Sequence, residues 1–296
     1  MLERVVRQLA CPVCGGSLRP DLPRRKMGGR LRHADLGCRD CHRVYGIQDG
    51  IGLLACPLAD GHDWRVDPAV AEALPDDRRW REYLASLPPE VPGIYDEIAR
   101  RLRAELEGVD GLVADLATCT GHVLRGLPPE AGGRRLVLGL DPEAAPLYAA
   151  QGALRRERRY TSISLAQFDP AHWPLPRASL AAIVSFFGPL TVPGGPRWMA
   201  EAARTLRERA PLAFGTLLSE EGTATLQEAR RLRLDGLLTK AHLERALRRT
   251  GFHLETWEVL GEGRHWPGNP YDPLPKRGDP WRYVYVRARR GRTPRT

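Results

Sequence analysis

Long apolar runs are missing from this chain of 296 residues. No stretch reaches the roughly eighteen consecutive apolar residues that a transmembrane helix needs, so the sequence excludes such a helix. No apolar segment follows the charged start Met1–Ala10, so we expect no secretory signal and a cytoplasmic location. Hydrophobic residues make up 42% and charged residues 27%, which excludes wholesale disorder and indicates a globular chain long enough for two domains.

Lysine is scarce as well: three of the 45 basic residues are lysine and the rest are arginine. An arginine excess beside many Ala, Gly and Pro is typical of a GC-rich genome, so we do not take it as a sign of phosphate binding. The net charge of +9 lies at the two ends of the chain. Residues 1–60 hold ten basic and six acidic residues, and the last ten hold five arginines and no acid. This distribution excludes a protein built wholly around a nucleic-acid groove but leaves RNA contact through either end open.

Four of the six cysteines form two doublets, Cys11-Pro-Val-Cys14 and Cys38-Arg-Asp-Cys41. Two such doublets can place four thiolates tetrahedrally around one zinc ion. Gly15 follows the first doublet and suits the positive φ of such a turn, and His42 has the matching place after the second. Disulfides or a redox motif are the alternatives, but there is no secretory signal and a redox motif needs only one doublet. We predict a closed structural zinc site with Cys11, Cys14, Cys38 and Cys41 as ligands, and a packed thiol at Cys56.

Two short apolar runs within Val44–Leu54 flank Asp49-Gly50, which is a hairpin signal. Together with the Cys11–Leu18 knuckle, this stretch resembles the zinc ribbon of the activator subunit of transfer-RNA methyltransferases. A similar ribbon is fused to the N-terminus of the 23S ribosomal RNA guanine-N1 methyltransferases. The resemblance covers about the first 55 residues and implies a zinc-ribbon module.

Basic residues lie between the two cysteine doublets, among them Arg24, Arg25 and Lys26. One interpretation is a mobile loop that binds RNA phosphate. The other is a solvated ribbon loop without a partner. The sequence does not decide between them, and the basic C-terminal tail has the same two interpretations.

A cofactor cradle is indicated further along the chain. The apolar run Leu112–Leu116 predicts a buried strand, which continues into the small-residue turn 117–121 and a helix from His122. The run Arg135–Asp141 predicts a second strand that ends on an acid. Asp115 and Asp141 are 26 residues apart, close to the spacing of a ribose-binding acid in a βαβ unit.

These segments resemble motifs of the class I S-adenosylmethionine-dependent methyltransferases. Asp115-Leu-Ala-Thr-Cys-Thr-Gly121 is similar to the family's D-L-A-T-G-T-G, except that Cys119 replaces a glycine. Phe168–Pro176 is similar to G-D-A-x-x-L-P-F-P, and Ser179–Ser185 to S-F-D-x-V-V-S with the acid replaced by Ala181. The resemblance spans about residues 93–288. It implies an α/β Rossmann-like domain with a mostly parallel seven-stranded sheet whose last strand is antiparallel, beside the small N-terminal zinc-ribbon domain.

The resemblance also implies which residues bind S-adenosylmethionine. Asp141 would accept hydrogen bonds from the ribose hydroxyls. Asp169 would face the adenine, with a turn cap before Pro170 as the alternative. A left-handed backbone at Cys119 would cost about 1–2 kcal/mol. The full implied set is Asp115, Ala117, Thr118, Cys119, Thr120, Gly121, Asp141, Pro142, Asp169, Pro170 and Ser185.

No motif identifies a catalytic base or the methyl acceptor. The N/D-P-P-Y/F signature of exocyclic-amine methyltransferases is absent, and Ser185–Gly188 occupies its place. Phe186 and Phe187 are candidates for stacking on a planar substrate, with core or cofactor packing as the alternative. Four segments are predicted: a zinc ribbon (1–60), a proline-rich helical linker (61–92), the methyltransferase domain (93–288) and a basic tail (289–296).

We therefore predict a methyltransferase that transfers a methyl group in line within a desolvated cleft. An RNA base is the first acceptor to consider, because of the ribbon and the basic chain ends. A small molecule or a protein is the alternative acceptor. A third interpretation is a non-catalytic binding protein whose cofactor site is weakened by Cys119 and Ala181.

Overall fold

The computed structural model describes residues 1–55, 77–128, 134–192, 197–232, 235–268 and 272–291. Cys56, the first part of the predicted linker, the end of the basic tail and the side chain of Arg24 lie outside the described residues. No helix in the described ranges is both long enough and apolar enough to cross a membrane. The strands are β1 Leu18–Met27, β2 Arg30–Cys38, β3 Val44–Gln48, β4 Ile51–Leu53, β5 Gly111–Leu116, β6 Arg135–Asp141, β7 Ile163–Gln167, β8 Leu180–Ser185, β9 Pro211–Leu218, β10 Phe252–Gly263 and β11 Trp281–Arg290. The helices are α1 Glu3–Val6, α2 Asp77–Ala85, α3 Val91–Ala104, α4 His122–Arg125, α5 Ala144–Arg156, α6 Gly188–Thr191, α7 Arg197–Thr205, α8 Ala224–Arg231 and α9 Lys240–Arg249.

These strands form one mixed sheet in the order β1-β2-β3-β4-β7-β6-β5-β8-β9-β11-β10. Strands β7, β6, β5, β8 and β9 are parallel to one another. Strand β11 runs antiparallel to both β9 and β10. This arrangement confirms the predicted Rossmann-like fold, with seven strands in the body and the last strand reversed.

Burial explains why β5 and β6 were recognisable in the sequence. Every residue of β6 is buried, and β5 is buried from Leu112 to Leu116. Strands at the centre of a parallel sheet are covered on both faces, so they appear as continuous apolar runs rather than as alternating patterns. Asp115 and Asp141 interrupt these runs only near the carboxyl ends of the strands, which is the edge where open α/β sheets bind ligands.

Helix α3 covers one face of the sheet with a stripe of apolar side chains three or four residues apart, which includes Ile94, Ile98 and Leu102. The helix begins at Val91, two residues before the predicted start of the methyltransferase domain. Pro92 lies in its first turn, where a proline lacks only an N–H that would have no helical partner. The proline that was assigned to the linker therefore starts the helix.

The zinc-ribbon segment extends the sheet of the body. Strands β3 and β4 form the predicted hairpin around Asp49-Gly50, both of which have positive φ. Strand β4 then pairs in parallel with β7, with Ile51 opposite Leu165. The backbone N–H of Leu54 donates to the carbonyl of Gln167 at 3.0 Å. The division into separate domains stays a prediction, but backbone hydrogen bonds join the ribbon to the methyltransferase-like body.

Basic side chains of the ribbon have partners within the fold. The Arg30 guanidinium donates to the carbonyls of Tyr160, Thr161 and Ile163 and lies 4.0 Å from the centroid of the Tyr160 ring. Lys26 forms an ion pair with Glu3, and Arg32 one with Asp49. Arg25 is exposed. The segment proposed as a mobile basic loop is therefore largely the strand pair β1–β2, with a tight turn at Gly28-Gly29.

The C-terminal basic residues are also held in the structure. Strand β11 continues to Arg290, so the first two residues assigned to the tail belong to a strand. Arg287 donates to Glu105 at 2.7 Å and also pairs with Glu255. Arg289 pairs with Glu255 too, and Arg290 donates to the carbonyls of Ala203 and Gly251. Much of the positive charge that pointed to RNA is thus engaged inside the chain.

Candidate functional site

The turn between β5 and α4 has an unusual backbone. Ala117, Cys119 and Gly121 all have positive φ, at +55°, +48° and +83°. Cys119 has the left-handed conformation expected for the glycine it replaces, and Ala117 shares it. The left-handed backbone conformation costs about 1–2 kcal/mol at each of these two residues, because both have a Cβ atom. Such strain persists only where the surroundings fix the backbone.

Hydrogen bonds to the strand ends fix this turn. The Thr118 hydroxyl donates to the carbonyl of Asp115 at 2.8 Å, and its N–H donates to the carbonyl of Leu140. The N–H of Cys119 donates to Oδ2 of Asp141 at 2.8 Å. At Gly121 an added Cβ would lie 3.3 Å from the Cβ of Ala150, so helix α5 also limits this position. The turn is therefore a rigid shelf above the ends of β5 and β6.

The Asp141 carboxylate ends β6 beneath this turn. It is 6% exposed, and its second oxygen accepts from the N–H of Glu143 at 3.0 Å. Burial raises its pKa, while the two backbone N–H groups act in the opposite direction. Each carboxylate oxygen has two lone pairs, so both can also accept from a ligand hydroxyl. The group fits the ribose diol that the resemblance assigns to it.

Asp115 differs from Asp141 because its buried carboxylate accepts no hydrogen bond from the described residues. It is 1% exposed, and neither of its carboxylate oxygens has a hydrogen-bond partner among the described residues. Burial raises its pKa to about 8. A carboxylate in this state is stabilised by a cation or a donor brought by a ligand. The ammonium of the methionine moiety of S-adenosylmethionine is such a group, so Asp115 and Asp141 together fit this cofactor.

A cavity of about 490 Å³ opens beside the two carboxylates, a volume typical of small-ligand sites. One half of its wall is the cofactor turn with Asp141, Pro142 and Glu143. The other half holds rings, and we call Tyr95, Phe186, Phe187 and Tyr283 the aromatic compartment. Their ring centroids lie 4.6–5.7 Å apart in tilted or edge-to-face contacts. None of the described residues that line the cavity is Lys or Arg.

Most of the predicted cofactor residues line this cavity, but four do not. Asp115, Ala117, Thr118, Cys119, Thr120, Asp141 and Pro142 all contribute to its wall. Gly121, Asp169, Pro170 and Ser185 are not part of that wall. Asp169 instead accepts from the N–H of Ala171 at 2.8 Å and contacts Nδ1 of His172 at 2.8 Å. These contacts describe the turn cap that was the alternative for Asp169, and they give no support to a role at the adenine.

Ser185 is fully buried and joins two strand ends. Its hydroxyl donates to the carbonyl of Leu116 at 2.6 Å and accepts from the N–H of Gly188 at 2.9 Å. A side chain that uses its hydroxyl in this way positions the loop after β8 rather than contacting a ligand. That loop carries Phe186 and Phe187 into the aromatic compartment.

Sequence reasoning missed further residues of the wall. Among them are Tyr83, Tyr95, His122, Asp272 and Tyr283, which come from α2, α3, α4, the segment before β11 and β11 itself. Tyr83 lies in the predicted linker 61–92, where no motif points to a ligand site. Asp272 and Tyr283 carried no local motif. The ring of His122 packs against Phe186 at 4.7 Å, and burial lowers its pKa.

The four cysteines of the two doublets meet in the ribbon. Their sulfur atoms all lie within 4.8 Å of one another, with Cys11 and Cys41 at 3.6 Å and Cys14 and Cys38 at 3.4 Å. Four thiolates at about 2.3 Å from a zinc ion require sulfur separations of this order. Gly15 and His42 both have positive φ, as the predicted turns require. The cluster fits a structural zinc ion.

No protein-family model and no curated protein matches this sequence. Among solved structures, the chain is similar to geranyl diphosphate C-methyltransferase from Streptomyces coelicolor in complex with S-adenosyl-L-homocysteine, at 15% identity over 65% of this chain and 74% of that chain (TM-score 0.50). It is similar to the YcgJ protein of Bacillus subtilis at 12% identity over 67% and 100% (TM-score 0.52). It is also similar to the [4+2]-cyclase SpnF at 15% identity over 67% and 81% (TM-score 0.51). The fold is that of the class I S-adenosylmethionine-dependent methyltransferases.

Removal of Cys38, a predicted zinc ligand, is expected to destabilise the body as well as the ribbon. Because β4 pairs with β7, Cys38→Ser should lower the midpoint of a single thermal unfolding transition, by about 5–10 °C for a loss of a few kcal/mol. Circular dichroism with and without a zinc chelator measures this, and Cys119→Ser, whose thiol lies outside the cluster, is the control. Two separate transitions, or an unchanged midpoint for the body, would contradict the coupling.

Asp141 and Asp169 are both predicted to bind the cofactor, but we expect their substitutions to change its affinity differently. Asp141→Asn removes the charge that accepts the ribose hydroxyls and should weaken S-adenosylhomocysteine binding about tenfold or more, since a hydrogen bond to a charged group is worth about 1.5–3 kcal/mol. Asp169→Asn should leave the affinity unchanged, because its carboxylate lies outside the cavity wall. Calorimetric titration of the two variants measures both values. Equal losses would show that Asp169 contacts the cofactor.

The Asp115 carboxyl is expected to make cofactor binding depend on pH. Its pKa of about 8 means that it is protonated in the free protein near pH 7, and an incoming ammonium stabilises only the ionised form. Binding of S-adenosylhomocysteine should therefore release a proton, and its affinity should rise up to tenfold per pH unit until about pH 8. Calorimetry in buffers of different ionisation heat counts the released protons. Asp115→Asn should abolish the release, and an equal release by this variant would exclude Asp115 as the source.

Proposed function

We propose that this protein is an S-adenosylmethionine-dependent methyltransferase whose acceptor is a small, uncharged, apolar molecule. The observation that carries the proposal is the single cavity in which two buried carboxylates face an aromatic compartment. The carboxylates suit a cofactor with an ammonium and a ribose diol. The aromatic compartment suits a flat or apolar acceptor next to it.

The residues of the chain have separate roles in this proposal. S-adenosylmethionine would supply a methyl group on a sulfonium sulfur. Asp141 holds the ribose, Asp115 holds the ammonium, and the rigid turn at 117–121 supports the adenosyl part from one side. The aromatic compartment excludes water and orients the acceptor toward the methyl carbon. Methyl transfer is an in-line displacement, so orientation in a dry site supplies much of its acceleration.

A small acceptor is favoured over RNA by the charges around the site. Phosphate groups need positive partners, but none of the described residues lining the cavity is Lys or Arg. Several basic side chains at the two ends of the chain already have acidic or carbonyl partners within it. They are Lys26, Arg30 and Arg32 in the ribbon and Arg287 and Arg289 near the C-terminus. Of the predicted RNA contacts on β1, the side chain of Arg25 is exposed to solvent.

A binding protein without methyl transfer is the second candidate. Two observations favour it: Cys119 places a side chain in the cofactor turn at φ +48°, and a neighbour of similar fold carries the name [4+2]-cyclase. In this case the cofactor site would be retained only for structure or ligand binding. The two candidates differ in whether a methyl group leaves the cofactor.

The experiment uses S-adenosylmethionine labelled in the methyl group. We expect micromolar binding by calorimetry and, in a cell extract treated with the purified protein, label in the organic-soluble small-molecule fraction. Asp141→Asn, which weakens the cofactor site, should lose that label. Label in RNA would overturn the small-molecule acceptor. Binding without label in any fraction would support the non-catalytic candidate, and binding weaker than millimolar would overturn the cofactor assignment.

A further inference from the structure

Three tyrosine hydroxyls and one carboxylate form a continuous chain of hydrogen bonds along the cavity. The Tyr83 hydroxyl donates to Oδ2 of Asp272 at 2.8 Å. The Tyr83 and Tyr95 hydroxyl oxygens are 3.0 Å apart, and those of Tyr95 and Tyr283 are 3.3 Å apart. All four residues line the cavity. We call this arrangement the tyrosine chain.

The carboxylate at one end sets the direction of the tyrosine chain. An ionised carboxylate only accepts hydrogen bonds, so Tyr83 uses its proton on Asp272 and its oxygen accepts from Tyr95. Tyr95 in turn can accept from Tyr283. The oxygen of Tyr283 is then left to accept from a donor in the cavity. The chain therefore conducts a proton toward Asp272 when a ligand provides one.

Burial keeps the three hydroxyls neutral. It raises the pKa of Tyr83, Tyr95 and Tyr283 well above the ordinary value for a phenol. These groups can therefore pass a proton on but cannot replace Asp272 as the site that keeps it. His122 is the other titratable base on the cavity wall, beside Phe186, and its role has to be tested separately.

The aromatic compartment limits the class of molecule that can use this chain. Tyr95 and Tyr283 belong to both the compartment and the chain, so a flat ring that packs against them lies next to their hydroxyls. An acceptor with a carboxylate or phosphate would meet Asp272 without a Lys or Arg among the described wall residues. A neutral ring with an O–H group satisfies both the rings and the open acceptor.

We propose that the acceptor is a planar molecule with an ionisable hydroxyl, a phenol or an enol, and that the tyrosine chain carries its proton to Asp272. This inference rests on the proposed methyltransferase function. The acceptor oxygen forms a bond to the methyl carbon, and the bond between that carbon and the sulfonium sulfur breaks with its electron pair left on sulfur. The hydroxyl proton passes to Tyr283 and through Tyr95 and Tyr83 to Asp272. No oxidant or reductant takes part.

The binding test compares two probes, 2-naphthol and 2-methoxynaphthalene, on the full protein saturated with S-adenosylhomocysteine. The probes share a ring system, but only the first has a proton to donate. We expect the wild type to bind 2-naphthol at least tenfold more tightly. Tyr95→Phe and Asp272→Asn should reduce this preference to about twofold, with unchanged affinity for 2-methoxynaphthalene as proof of an intact compartment. Tyr148→Phe removes a buried hydroxyl outside the chain and should keep the full preference.

The kinetic test follows labelled methyl transfer to 2-naphthol. Asp272→Asn should lower kcat about a hundredfold, as expected for loss of a proton acceptor, with little change in KM for the cofactor. The rate of this variant should rise steeply with pH, because the acceptor then has to ionise in solution. A purely structural role for Asp272 would give the same loss at every pH. A wild-type pH profile in Asp272→Asn together with loss of transfer in His122→Gln would overturn the assignment.

The proposed function and this inference fail in different ways. Loss of S-adenosylhomocysteine binding in the wild type would overturn the function itself. Cofactor binding with no preference between the naphthalene probes, or with no binding of either probe, would overturn only the class of acceptor and the role of the tyrosine chain.

Discussion

Two buried carboxylates at the ends of neighbouring parallel strands set the constraint on which the site depends. Asp115 and Asp141 lie above the middle of the sheet, where water is excluded and an isolated charge is costly. The protein stabilises Asp141 with backbone N–H groups from the strained turn and from Glu143. It leaves Asp115 without such donors. The strained backbone at Cys119 and the buried carboxyl of Asp115 thus belong to one arrangement that a cationic ligand would complete.

The second half of the cavity depends on segments that are far apart in the chain. Helices α2 and α3, the loop after β8 and strand β11 each bring one or two rings to the aromatic compartment or to the tyrosine chain. Because β11 is inserted antiparallel between β9 and β10, its residue Tyr283 reaches the same side of the sheet as Tyr95. Stacking of rings and a shared hydrogen-bond chain make this surface suitable for a flat ligand that brings one polar group.

Charge at the chain ends has a structural explanation in this fold. The ribbon is attached to the sheet through β4 and β7, and Arg30 holds the loop before β7 by its carbonyl groups. Arg287 and Arg289 lie on β11 and pair with Glu255 on the neighbouring strand β10, and Arg287 also pairs with Glu105 at the end of helix α3. Surface ion pairs of this kind contribute little to stability individually, but they remove the uncompensated charge that a phosphate-binding surface requires.

The sequence by itself determined the four-cysteine cluster, the two central strands and the turn at 117–121, because each is encoded by neighbouring residues. Paired cysteines, continuous apolar runs and a strand-turn-helix pattern are local signals, and even the backbone of Cys119 followed from the glycine it replaces. Only the tertiary structure decided the acceptor half of the cavity and the fate of the basic side chains. Tyr83, Tyr95, Asp272 and Tyr283 are separated by up to 200 residues, and Asp169 and Ser185 stand in the right motifs but direct their polar atoms to nearby backbone. The direction in which a side chain points, and the partner that it meets across the sheet, are set by packing and carry no mark in the local sequence.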